Sequence, residues 1–549
     1  MQNTRTIIIF FITVFYWSIT FCQMTIKEKD YTMIYSDRNI TLTFDSNVEL
    51  QAYDALTNQE INLDKELNKK NTFHLFNTTP AQIIKLNYTY NNGKNSNIQT
   101  SYIATQSMSS GSINVFFNHP VATSFAQTQN AVDLGNTLDD RLISYINACV
   151  STLDIAIYNS YSPSYITGIA GAINAAYARG VQVRVIYDGS TSSVMIPLLN
   201  PSIPTLASPT SSSYGIMHNK FVIFDADNSD PNKPYVWTGS TNWTVAQIDG
   251  PDDNNVIVIQ DQSLAQGYKI EFNEMWGSTT ITPNTSNSKF GPFKADNTPH
   301  NYFIGGKNIE SYFSPTDGTT SKIINAINSA NSDIDIATML ITRTDIRSAI
   351  LNKYNSGLPK TYLVADTQNP SGNQFSIIQA GLPVNQVVLY SASGIMHHKF
   401  MVIDNFDNTS DPQVLLGSHN WSNSAETKND ENTLIVHDAN ITNQYFQAFA
   451  YLYQFSGGVL DVNQNQISAT NVVIYPNPTT GLVHLTGGDF SNAYDVNIRV
   501  YDVIGNRIFH KNYTNLVDET IDISCQSSGL YFIEVVKNDI SIHYKILKE

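Results

Sequence analysis

The sequence predicts an α/β protein: two fused α-β-α sandwich repeats related by a pseudo-two-fold axis, flanked by small N- and C-terminal β-sandwich domains. Three observations predict this arrangement. The segment around residue 218 recurs around residue 397, which indicates an internal duplication. Each copy alternates strand and helix patterns, which is typical of a sheet covered by helices on both faces. Both ends of the chain carry short β-rich runs separated by turn residues.

Length and composition indicate several folded domains. The chain has 549 residues, more than one ordinary hydrophobic core accommodates, and 42% of them are hydrophobic, as in folded chains. The formal net charge of −16 does not suit a protein that holds a nucleic-acid backbone along a long track. It leaves room for a small basic pocket, because net charge does not fix the local distribution of charge.

Residues 1–23 are predicted to be a signal peptide. Arg5 supplies a positive charge before an apolar or neutral run over residues 7–19, and this run is shorter than the roughly 20 residues that span a bilayer. A membrane anchor is a less favoured alternative, and so is a lipoprotein modified at Cys22, because a bulky residue precedes it. We expect cleavage near Gln23 and export through the Sec translocon.

The N-terminal region and the cysteines carry no chemistry that the sequence identifies. Residues 24–105 alternate short β-rich runs with turns, which predicts a small antiparallel sandwich whose role in adhesion, packing or spacing stays open. Cys149 and Cys525 lie far apart, so neither a disulfide framework nor a thiolate metal site is indicated. Cys149 falls in a helical pattern and is predicted to be a buried core thiol.

The central region is predicted to form two halves of one catalytic body, residues 106–290 and 291–465. Each half contains three strands separated by helices and then a Gly-Ile-Met-His-x-Lys-Phe segment. Downstream, residues 239–260 align with residues 417–438 without a gap. The paired strands are predicted at 113–120 and 309–315, at 153–158 and 334–339, and at 181–188 and 361–366.

Each repeat carries a His-x-Lys pair in a β-rich run. Residues two apart share one face of a strand, which brings each imidazole next to an ammonium group. An imidazole can act near neutral pH as nucleophile, acid or base, and an ammonium group can neutralise a phosphoryl oxygen. The pairs are His218 with Lys220 and His397 with Lys399. A Gly-Ser-x-Asn turn adds hydroxyl and amide donors at Ser240, Asn242, Ser418 and Asn420.

This pattern resembles that of the phospholipase D superfamily: His-x-Lys, four residues, Asp, then Gly-Ser-x-Asn, twice within residues 106–465. The resemblance implies two half-sites that meet within one monomeric chain. One imidazole would attack phosphorus and form a phosphohistidine, and the other would protonate the leaving alcohol and then activate water. We expect His218 to be the nucleophile and His397 the acid. The non-bridging oxygens would be held by Lys220, Lys399, Asn242 and Asn420, with Ser240 and Ser418 close by.

The resemblance also implies roles for four acidic residues. An acidic residue eleven positions after the motif Asn often orients the catalytic imidazole in this family, and these positions hold Asp253 and Glu431. A solvated turn is the alternative for Asp253. The motif aspartates, Asp225 and Asp404, are expected to brace the interface between the half-sites rather than to transfer protons.

Other residues near the motifs are predicted to play no part in the chemistry. Trp243 and Trp421 are expected to pack as core indoles, with substrate stacking as the alternative. His398 and His419 lack cysteine or acidic neighbours at ligand spacing, so no metal and no other cofactor is predicted. Two loops are longer than is usual in the family and are expected to extend a hairpin beside the site. These loops are residues 226–238 and 405–416.

Residues 470–549 are predicted to form a separate β-domain. A turn cluster at 475–481 is followed by alternating runs at 500–505 and 528–535. In order and spacing this tail resembles the C-terminal sorting domain of type IX secretion substrates. The resemblance implies the type IX secretion machinery as a partner, export to the medium or the outer cell surface, and removal of the tail. An ordinary adhesive β-domain is the alternative.

The substrate stays open between phospholipid and nucleic acid. The motif segment and residues 272–276 are similar to the branch of small bacterial nucleases and mitochondrial cardiolipin hydrolases. Residues 106–290 hold 7 Lys and Arg against 14 Asp and Glu, and residues 291–465 hold 9 against 15. So few cations argue against a long basic groove, and we expect a phosphoric diester hydrolase of the phospholipase D type that cleaves phospholipid headgroups. A DNA or RNA nuclease and a non-catalytic adhesin are the alternatives.

Overall fold

The protein is described by a computed structural model that covers residues 24–36, 38–66, 69, 71–90, 97–161, 163–358, 360–366, 372–390, 392–407, 409–460, 473–486, 496–503, 505–513, 518–537 and 540–549. The predicted signal peptide, residues 1–23, lies outside the described residues. Within the described ranges, no helix combines the length and the apolar character that crossing a bilayer requires.

The N-terminal unit is an antiparallel β-domain, as predicted. Its strands are β1 (Met24–Lys27), β2 (Tyr31–Ser36), β3 (Asn39–Phe44), β4 (Val48–Asp54), β5 (Glu60–Ile61), β6 (Asp64–Lys65), β7 (Thr72–Leu75), β8 (Ile83–Tyr90) and β9 (Gln99–Ala104). They form one sheet in the order β1-β2-β3-β7-β6 and another in the order β5-β4-β8-β9. Strands β2 and β3 alternate buried and half-buried residues, because one face of each packs on a core that contains Tyr31, Tyr35 and Phe44.

The first repeat is a mixed sheet with helices on both faces. Its strands are β10 (Ile113–Phe117), β11 (Val132–Asp133), β12 (Thr152–Ile157), β13 (Ser160–Tyr161), β14 (Gln182–Tyr187), β15 (Thr205–Ala207), β16 (Lys220–Phe224), β17 (Tyr235–Gly239), β18 (Trp243–Thr244) and β19 (Asn255–Ile259). Its helices are α1 (Leu138–Ala148), α2 (Pro163–Ala178), α3 (Val245–Ile248) and α4 (Gln262–Trp276). The main sheet has the order β11-β10-β19-β17-β16-β12-β14-β15, and β13 pairs with β18.

The second repeat reproduces this architecture. Its strands are β20 (Asn301–Ile304), β21 (Lys307–Ser314), β22 (Asp333–Thr338), β23 (Lys360–Asp366), β24 (Val387–Tyr390), β25 (Lys399–Ile403), β26 (Gln413–Gly417) and β27 (Glu431–His437). Its helices are α5 (Thr319–Ser329), α6 (Thr344–Asn355), α7 (Phe375–Gly381), α8 (Asn423–Thr427) and α9 (Ala439–Phe455). The sheet order, β20-β21-β27-β26-β25-β22-β23-β24, matches that of the first repeat strand for strand except at the edge formed by β11 or β20. The predicted duplication is confirmed.

The two repeats share a hydrophobic core at their boundary, in addition to one core within each repeat. Helix α4 packs on the sheet of the first repeat, and helix α9 packs on the sheet of the second. Phe272 of α4 and Phe449 of α9 belong to the same buried cluster as Phe221 and Phe400 of the central strands. Because apolar faces of both sheets are buried in this cluster, the central strands β16 and β25 lie close to the boundary between the repeats.

The residues predicted to be buried near the motifs are buried. Cys149 is 2% exposed and lies in the core of the first repeat together with Trp243. Trp421 lies in the equivalent core of the second repeat and is 0% exposed. Core packing of both indoles and of the thiol agrees with the prediction.

The C-terminal unit is a second antiparallel β-domain, as predicted. Its strands are β28 (Val473–Tyr475), β29 (Leu482–Thr486), β30 (Val496–Asp502), β31 (Arg507–Tyr513), β32 (Asp518–Asp522), β33 (Gly529–Lys537) and β34 (Ile540–Lys548). They form one sheet in the order β28-β29-β32 and another in the order β31-β30-β33-β34. Val483 of the first sheet and Ile498 and Ile533 of the second meet in one small core.

Candidate active site

The two His-x-Lys pairs lie at the boundary between the repeats. Each pair stands at the N-terminal end of a central strand, β16 or β25, and the four side chains belong to residues that are between 1% and 6% exposed. The backbone N–H of His218 donates to the carbonyl of Asp430, and that of His397 donates to the carbonyl of Asp253, both at 2.9 Å. Each imidazole is therefore held in place by the backbone of the opposite repeat.

Glu431 is the hydrogen-bond partner of His218. Its Oε2 atom lies 2.7 Å from Nδ1 of His218, and the Ser418 hydroxyl donates to the same oxygen at 2.7 Å. Burial raises the pKa of Glu431 to about 7, although Lys220 opposes this shift. Because Nδ1 donates to the carboxylate, Nε2 of His218 keeps a free lone pair. The structure thus places Glu431 against a motif imidazole, that of the opposite repeat, while the catalytic role of Glu431 stays a prediction.

The side chain of Asp253 is not the hydrogen-bond partner of the His397 ring, so the expectation that this carboxylate orients a catalytic imidazole is wrong. Nδ1 of His397 lies 2.9 Å from Oδ1 of Asn254, to which the Ser240 hydroxyl also donates at 2.9 Å. The amide nitrogen of Asn254 donates to a backbone carbonyl at 3.0 Å, which directs the oxygen towards His397. The carboxyl group of Asp253 accepts a hydrogen bond from Tyr390 instead.

The misassignment of Asp253 comes from a gap of one residue between the repeats. The first repeat has one residue more between the Gly-Ser turn and the next strand, as the register pairs Gly239 with Val256 and Gly417 with Thr433 show. The alignment without a gap therefore shifted this strand by one position. Aligning the Asn near the start of each strand, Asn255 of β19 and Asn432 of β27, would have placed Asn254 opposite Glu431.

Burial favours the neutral form of both imidazoles. It lowers the pKa of His218 and of His397 well below the usual range, and the motif lysines lower both further. Burial also lowers the pKa of Lys220 to about 7, against the opposing effect of Glu431, and the pKa of Lys399 is lowered by burial and then by Lys220. The two ammonium groups repel each other in a buried space, and an anion bound between them would stabilise both charges.

The motif asparagines lie on the turns that follow β17 and β26. The side-chain oxygens of Asn242 and Asn420 are buried without a hydrogen-bond partner in the part of the chain that the structure describes. The side chain of Gln247 accepts a hydrogen bond of 2.7 Å from the backbone N–H of Asn242 and fixes this turn. Donation from either carboxamide to a phosphate stays a prediction.

Asp225 and Asp404 bind turns of their own repeats, so the expectation that they brace the interface between the half-sites is wrong. Each accepts hydrogen bonds from successive backbone N–H groups of the turn before β12 or β22. They follow the C-terminal ends of β16 and β25, whereas the imidazoles precede the N-terminal ends. Their positive φ angles of 53° and 55° turn the chain at this far end of the strand.

The long loops also lie at the far end of the central strands, and the expectation that they extend a hairpin beside the site is wrong. The side chain of Gln266 on α4 donates to the carbonyl of Ala226 at 2.7 Å. In the second loop, the carbonyl of Asn405 accepts a hydrogen bond of 2.8 Å from Gln127. Each loop follows the end of its strand that points away from the imidazoles. The length of the loop therefore has no direct bearing on access to the imidazoles.

Two residues on the His218 side of the boundary were missed as candidates. The ring of Tyr158 lies edge-on to the His218 ring at 4.8 Å, and Lys220 Nζ lies 5.2 Å from the centre of the Tyr158 ring. His419 is 2% exposed and follows the serine that binds Glu431. The residue equivalent to Tyr158 is Met339 of the second repeat, and the residue equivalent to His419 is Thr241 of the first repeat. A position-by-position comparison of the repeats for unequal chemistry would have found both residues.

His398 belongs to a closed hydrogen-bond network. Its Nε2 atom lies 2.8 Å from Nε2 of His119, and its Nδ1 atom lies 2.8 Å from the side-chain nitrogen of Asn255. Both ring nitrogens are therefore occupied by protein groups. The absence of a metal requirement stays a prediction.

A duplicated α/β sheet with paired imidazoles and lysines at its boundary agrees with the resemblance of the motifs to the phospholipase D superfamily. Residues 142–276 and 323–453 match the family described as "Cardiolipin synthase, PLD-like domain", and residues 473–549 match the "Secretion system C-terminal sorting domain". The chain therefore carries two phospholipase D-like domains, through which it belongs to that superfamily, and one C-terminal sorting domain. The sorting domain implies a secretion system and a location outside the cell or on its outer surface.

Curated relatives and solved structures resemble parts of the chain. The mitochondrial cardiolipin hydrolase of Chlamydomonas reinhardtii is 30% identical over 154 residues, which cover 27% of this chain and 64% of the relative. The phospholipase D of Rickettsia prowazekii (strain Madrid E) is 26% identical over 174 residues, which cover 31% of this chain and 80% of the relative. The crystal structure of phosphatidylserine synthase from Haemophilus influenzae Rd KW20 is 12% identical with a TM-score of 0.42, covering 58% of this chain and 83% of that one. The chain spans between 52% and 64% of the length of the mitochondrial cardiolipin hydrolases that it matches.

Proposed function

We propose that this protein is a secreted phosphodiesterase that hydrolyses phospholipid headgroup esters through a phosphohistidine intermediate. The observation that carries the proposal is the pair of buried imidazoles, His218 and His397, each held by the opposite repeat and followed by a buried lysine. Cleavage of a phosphodiester needs a nucleophile, a proton donor for the leaving alcohol and positive charge at the non-bridging oxygens. This group of residues offers a side chain for each task.

His218 is the proposed nucleophile. Its Nε2 lone pair attacks phosphorus, and a P–N bond forms as the P–O bond to the leaving alcohol breaks. The ring becomes positively charged when it is phosphorylated. The carboxylate of Glu431, 2.7 Å from Nδ1, supports the assignment because it stabilises this charge and holds the ring in the required tautomer.

His397 is the proposed acid. It gives the proton on Nε2 to the departing oxygen, so it must be charged before this step and neutral afterwards. The negative phosphodiester raises the pKa of His397 on binding, and the neutral oxygen of Asn254 stabilises the charged ring less than a carboxylate would. In the second step, neutral His397 takes a proton from water. The water oxygen attacks phosphorus and displaces Nε2 of His218, which completes the hydrolysis.

The remaining motif residues are proposed to hold the phosphate and the imidazole partners. Lys220 and Lys399 would bind the non-bridging oxygens with the carboxamides of Asn242 and Asn420. Mutual repulsion of the two ammonium groups supports this role, because a bound anion removes it. The hydroxyls of Ser240 and Ser418 would act through Asn254 and Glu431, to which they donate hydrogen bonds.

The distribution of charge supports a lipid substrate. Asp and Glu outnumber Lys and Arg in both halves, 14 to 7 in residues 106–290 and 15 to 9 in residues 291–465. Several cations are bound by acidic side chains, as in the buried pairs of Arg184 with Asp154 at 2.7 Å and of Lys294 with Glu271 at 2.5 Å. A nuclease that follows a backbone uses many phosphate contacts, whereas a headgroup ester requires charge at one phosphate. Relatives named as a cardiolipin hydrolase and a phospholipase D give further support.

A direct comparison of substrates tests the proposal. Purified protein is incubated with phosphatidylcholine vesicles and, separately, with single-stranded DNA, and choline and DNA fragments are measured. We expect choline release without DNA cleavage, and no choline release from the His218→Ala variant. DNA cleavage without choline release would replace the lipid proposal by a nuclease. Inactivity on both substrates would contradict enzyme function and favour an adhesin.

The ends of the chain are proposed to direct export. Residues 1–23 would use the Sec translocon, and residues 470–549 would engage the type IX secretion machinery, leaving residues 24–105, 106–290 and 291–465 as the domains of the mature protein. A chain that lacks residues 470–549, expressed in a bacterium with a type IX system, is expected to stay in the periplasm. Equal amounts of full-length and truncated protein in the medium would contradict this role.

A further inference from the structure

His419 is a buried imidazole that the proposed mechanism does not use. It is the third residue of the second Gly-Ser-x-Asn turn, between Ser418 and Asn420, and it is 2% exposed. Neither of its ring nitrogens has a hydrogen-bond partner among the described residues. An oxygen of Glu426 lies 3.7 Å from Nε2, which is beyond hydrogen-bonding distance.

The equivalent residue of the first repeat, Thr241, has a hydrogen-bond partner. Thr241 donates its hydroxyl to the carbonyl of Asn255 at 3.2 Å. A buried polar group without a partner destabilises the folded protein, because it has lost its water without gaining another hydrogen bond. A hydrogen-bonded threonine thus suffices for the fold at this position, whereas the His419 ring has only the 3.7 Å contact with Glu426 in place of a hydrogen bond.

His419 lies on the His218 side of the boundary between the repeats. The preceding residue, Ser418, donates to the oxygen of Glu431 that binds Nδ1 of His218. Burial and the motif lysines lower the pKa of His218, and a positive charge on His419 lowers it further, as expected for a ring close by. The same turn carries Asn420, whose side-chain oxygen also has no partner among the described residues.

Glu426 is a carboxylate close to the His419 ring, and hydrogen bonds hold this carboxylate in place. Its Oε2 atom accepts hydrogen bonds from the backbone N–H and the hydroxyl of Thr320, at 2.8 and 2.7 Å, where α5 begins. The same oxygen is the one nearest to Nε2 of His419. A carboxylate held in this place favours a proton on Nε2 and leaves Nδ1 for another partner.

We propose that His419 contacts the substrate: its imidazole hydrogen-bonds an oxygen on the part of the molecule that stays bonded to phosphorus when the leaving alcohol departs. This inference rests on the proposed phosphodiesterase function. In-line displacement places the leaving alcohol opposite His218, on the side of His397. His419 lies on the His218 side and therefore meets a non-bridging phosphoryl oxygen or the retained alcohol.

Three variants test this contact. His419→Gln keeps a hydrogen-bonding group, His419→Phe keeps a ring without one, and Thr241→Ala is the matched change in the other repeat. KM and kcat are measured on phosphatidylcholine vesicles, and the Kd of orthovanadate reports the phosphoryl subsite without any alcohol. We expect KM to rise about tenfold in His419→Phe and to stay within about threefold of wild type in the other two variants.

The Kd of orthovanadate distinguishes the two oxygens that His419 could contact. A weaker Kd that parallels the rise in KM would assign the contact to a phosphoryl oxygen, and an unchanged Kd would assign it to the retained alcohol. The proposal would be overturned by an unchanged KM in His419→Phe, or by equal losses in the Phe and Gln variants. An inactive wild-type protein would instead overturn the proposed function, which is a different result from either of these.

Discussion

His218 and His397 hold equivalent positions in the two repeats, but their Nδ1 atoms meet different chemistry. Nδ1 of His218 lies 2.7 Å from the carboxylate of Glu431, whereas Nδ1 of His397 lies 2.9 Å from the neutral carboxamide of Asn254. In both repeats the serine of the Gly-Ser turn donates to the partner. The serine contact is thus the same in both repeats, whereas the group that binds Nδ1 is charged in one and neutral in the other. The two imidazoles are therefore suited to different tasks.

The surroundings extend the same contrast. Beside His218 the chain places the phenol ring of Tyr158 and, on the adjoining turn, the imidazole of His419. The equivalent position to Tyr158 in the second repeat holds a thioether, Met339, and the equivalent position to His419 in the first repeat holds a hydroxyl, Thr241. The backbone of the site is two-fold symmetric, but the side chains on its two sides differ. Such a site can bind an unsymmetrical diester in one orientation.

The largest expected effect comes from removing either imidazole. His218→Ala is expected to lose at least about 10⁴-fold in kcat on any diester, because no P–N bond can form. His397→Ala is expected to lose a similar factor on choline esters, yet to release one equivalent of p-nitrophenol from a p-nitrophenyl ester, whose leaving group needs no proton. A rapid-mixing experiment measures this burst, and identical behaviour of both variants on both esters would argue against divided roles.

Removing the charge beside His218 is expected to have the next largest effect. Glu431→Gln keeps the shape of the side chain but no longer stabilises the phosphorylated ring, so kcat should fall by about 100-fold. Steady-state kinetics measure the loss, and the unfolding temperature serves as control for the fold. A fall of less than about threefold would show that the carboxylate is not needed.

Adding a charge beside His397 is the complementary change. Asn254→Asp gives both imidazoles a carboxylate, which raises the pKa of His397 and weakens it as an acid. We expect kcat on choline esters to fall by about tenfold and the rate on a p-nitrophenyl ester to change little. Equal losses on the two esters would contradict the assignment of proton donation to His397.

The pH dependence of kcat/KM should report the ionisation of Lys220 and the effect of Glu431 on it. Burial lowers the pKa of Lys220 to about 7 in the free protein, while Glu431 acts to raise it. Because an ammonium group is needed to bind phosphate, kcat/KM should decline as the pH rises through this value. Glu431→Gln removes the raising effect, so its decline should begin at lower pH than in wild type. A decline that begins at higher pH in Glu431→Gln than in wild type would contradict this prediction.

The smallest expected effect concerns Tyr158. Tyr158→Met copies the other repeat and removes the ring that lies 5.2 Å from Lys220 Nζ. Loss of a cation–π contact should lower kcat/KM by about threefold. Met339→Leu on the opposite wall is the control and should leave kcat/KM unchanged, and a larger loss in the control would place the aromatic contribution in doubt.

The fold could be predicted because its signals are local and repeated. Strand and helix patterns alternate twice in the same order, and the conserved spacing from His218 to Asp225 recurs from His397 to Asp404. The two β-domains follow from alternating runs and turns. The assignment of Asp253 failed because alignment assumes equal lengths, while the position of a side chain depends on strand register, in which one extra residue moves Asn254 into the place of Glu431.

The roles of the motif aspartates could not be predicted for a different reason. Sequence places Asp225 and Asp404 close to the imidazoles along the chain, but a strand separates them in space. Each strand carries the site at one end and the aspartate at the other, where the carboxylate binds the backbone of a turn. Contacts between residues distant in sequence, such as His218 with Glu431, also required the packing of the two repeats.

Identification of the residue that becomes phosphorylated tests the central claim most directly. The His397→Ala variant is mixed with a phosphatidyl ester of p-nitrophenol, quenched in alkali, in which phosphohistidine survives, and digested for peptide mass spectrometry. We expect a phosphatidyl adduct on the peptide that contains His218, formed with the same stoichiometry as the p-nitrophenol burst. An adduct on His397 in the His218→Ala protein, together with no adduct on His218 in the His397→Ala protein, would contradict this assignment.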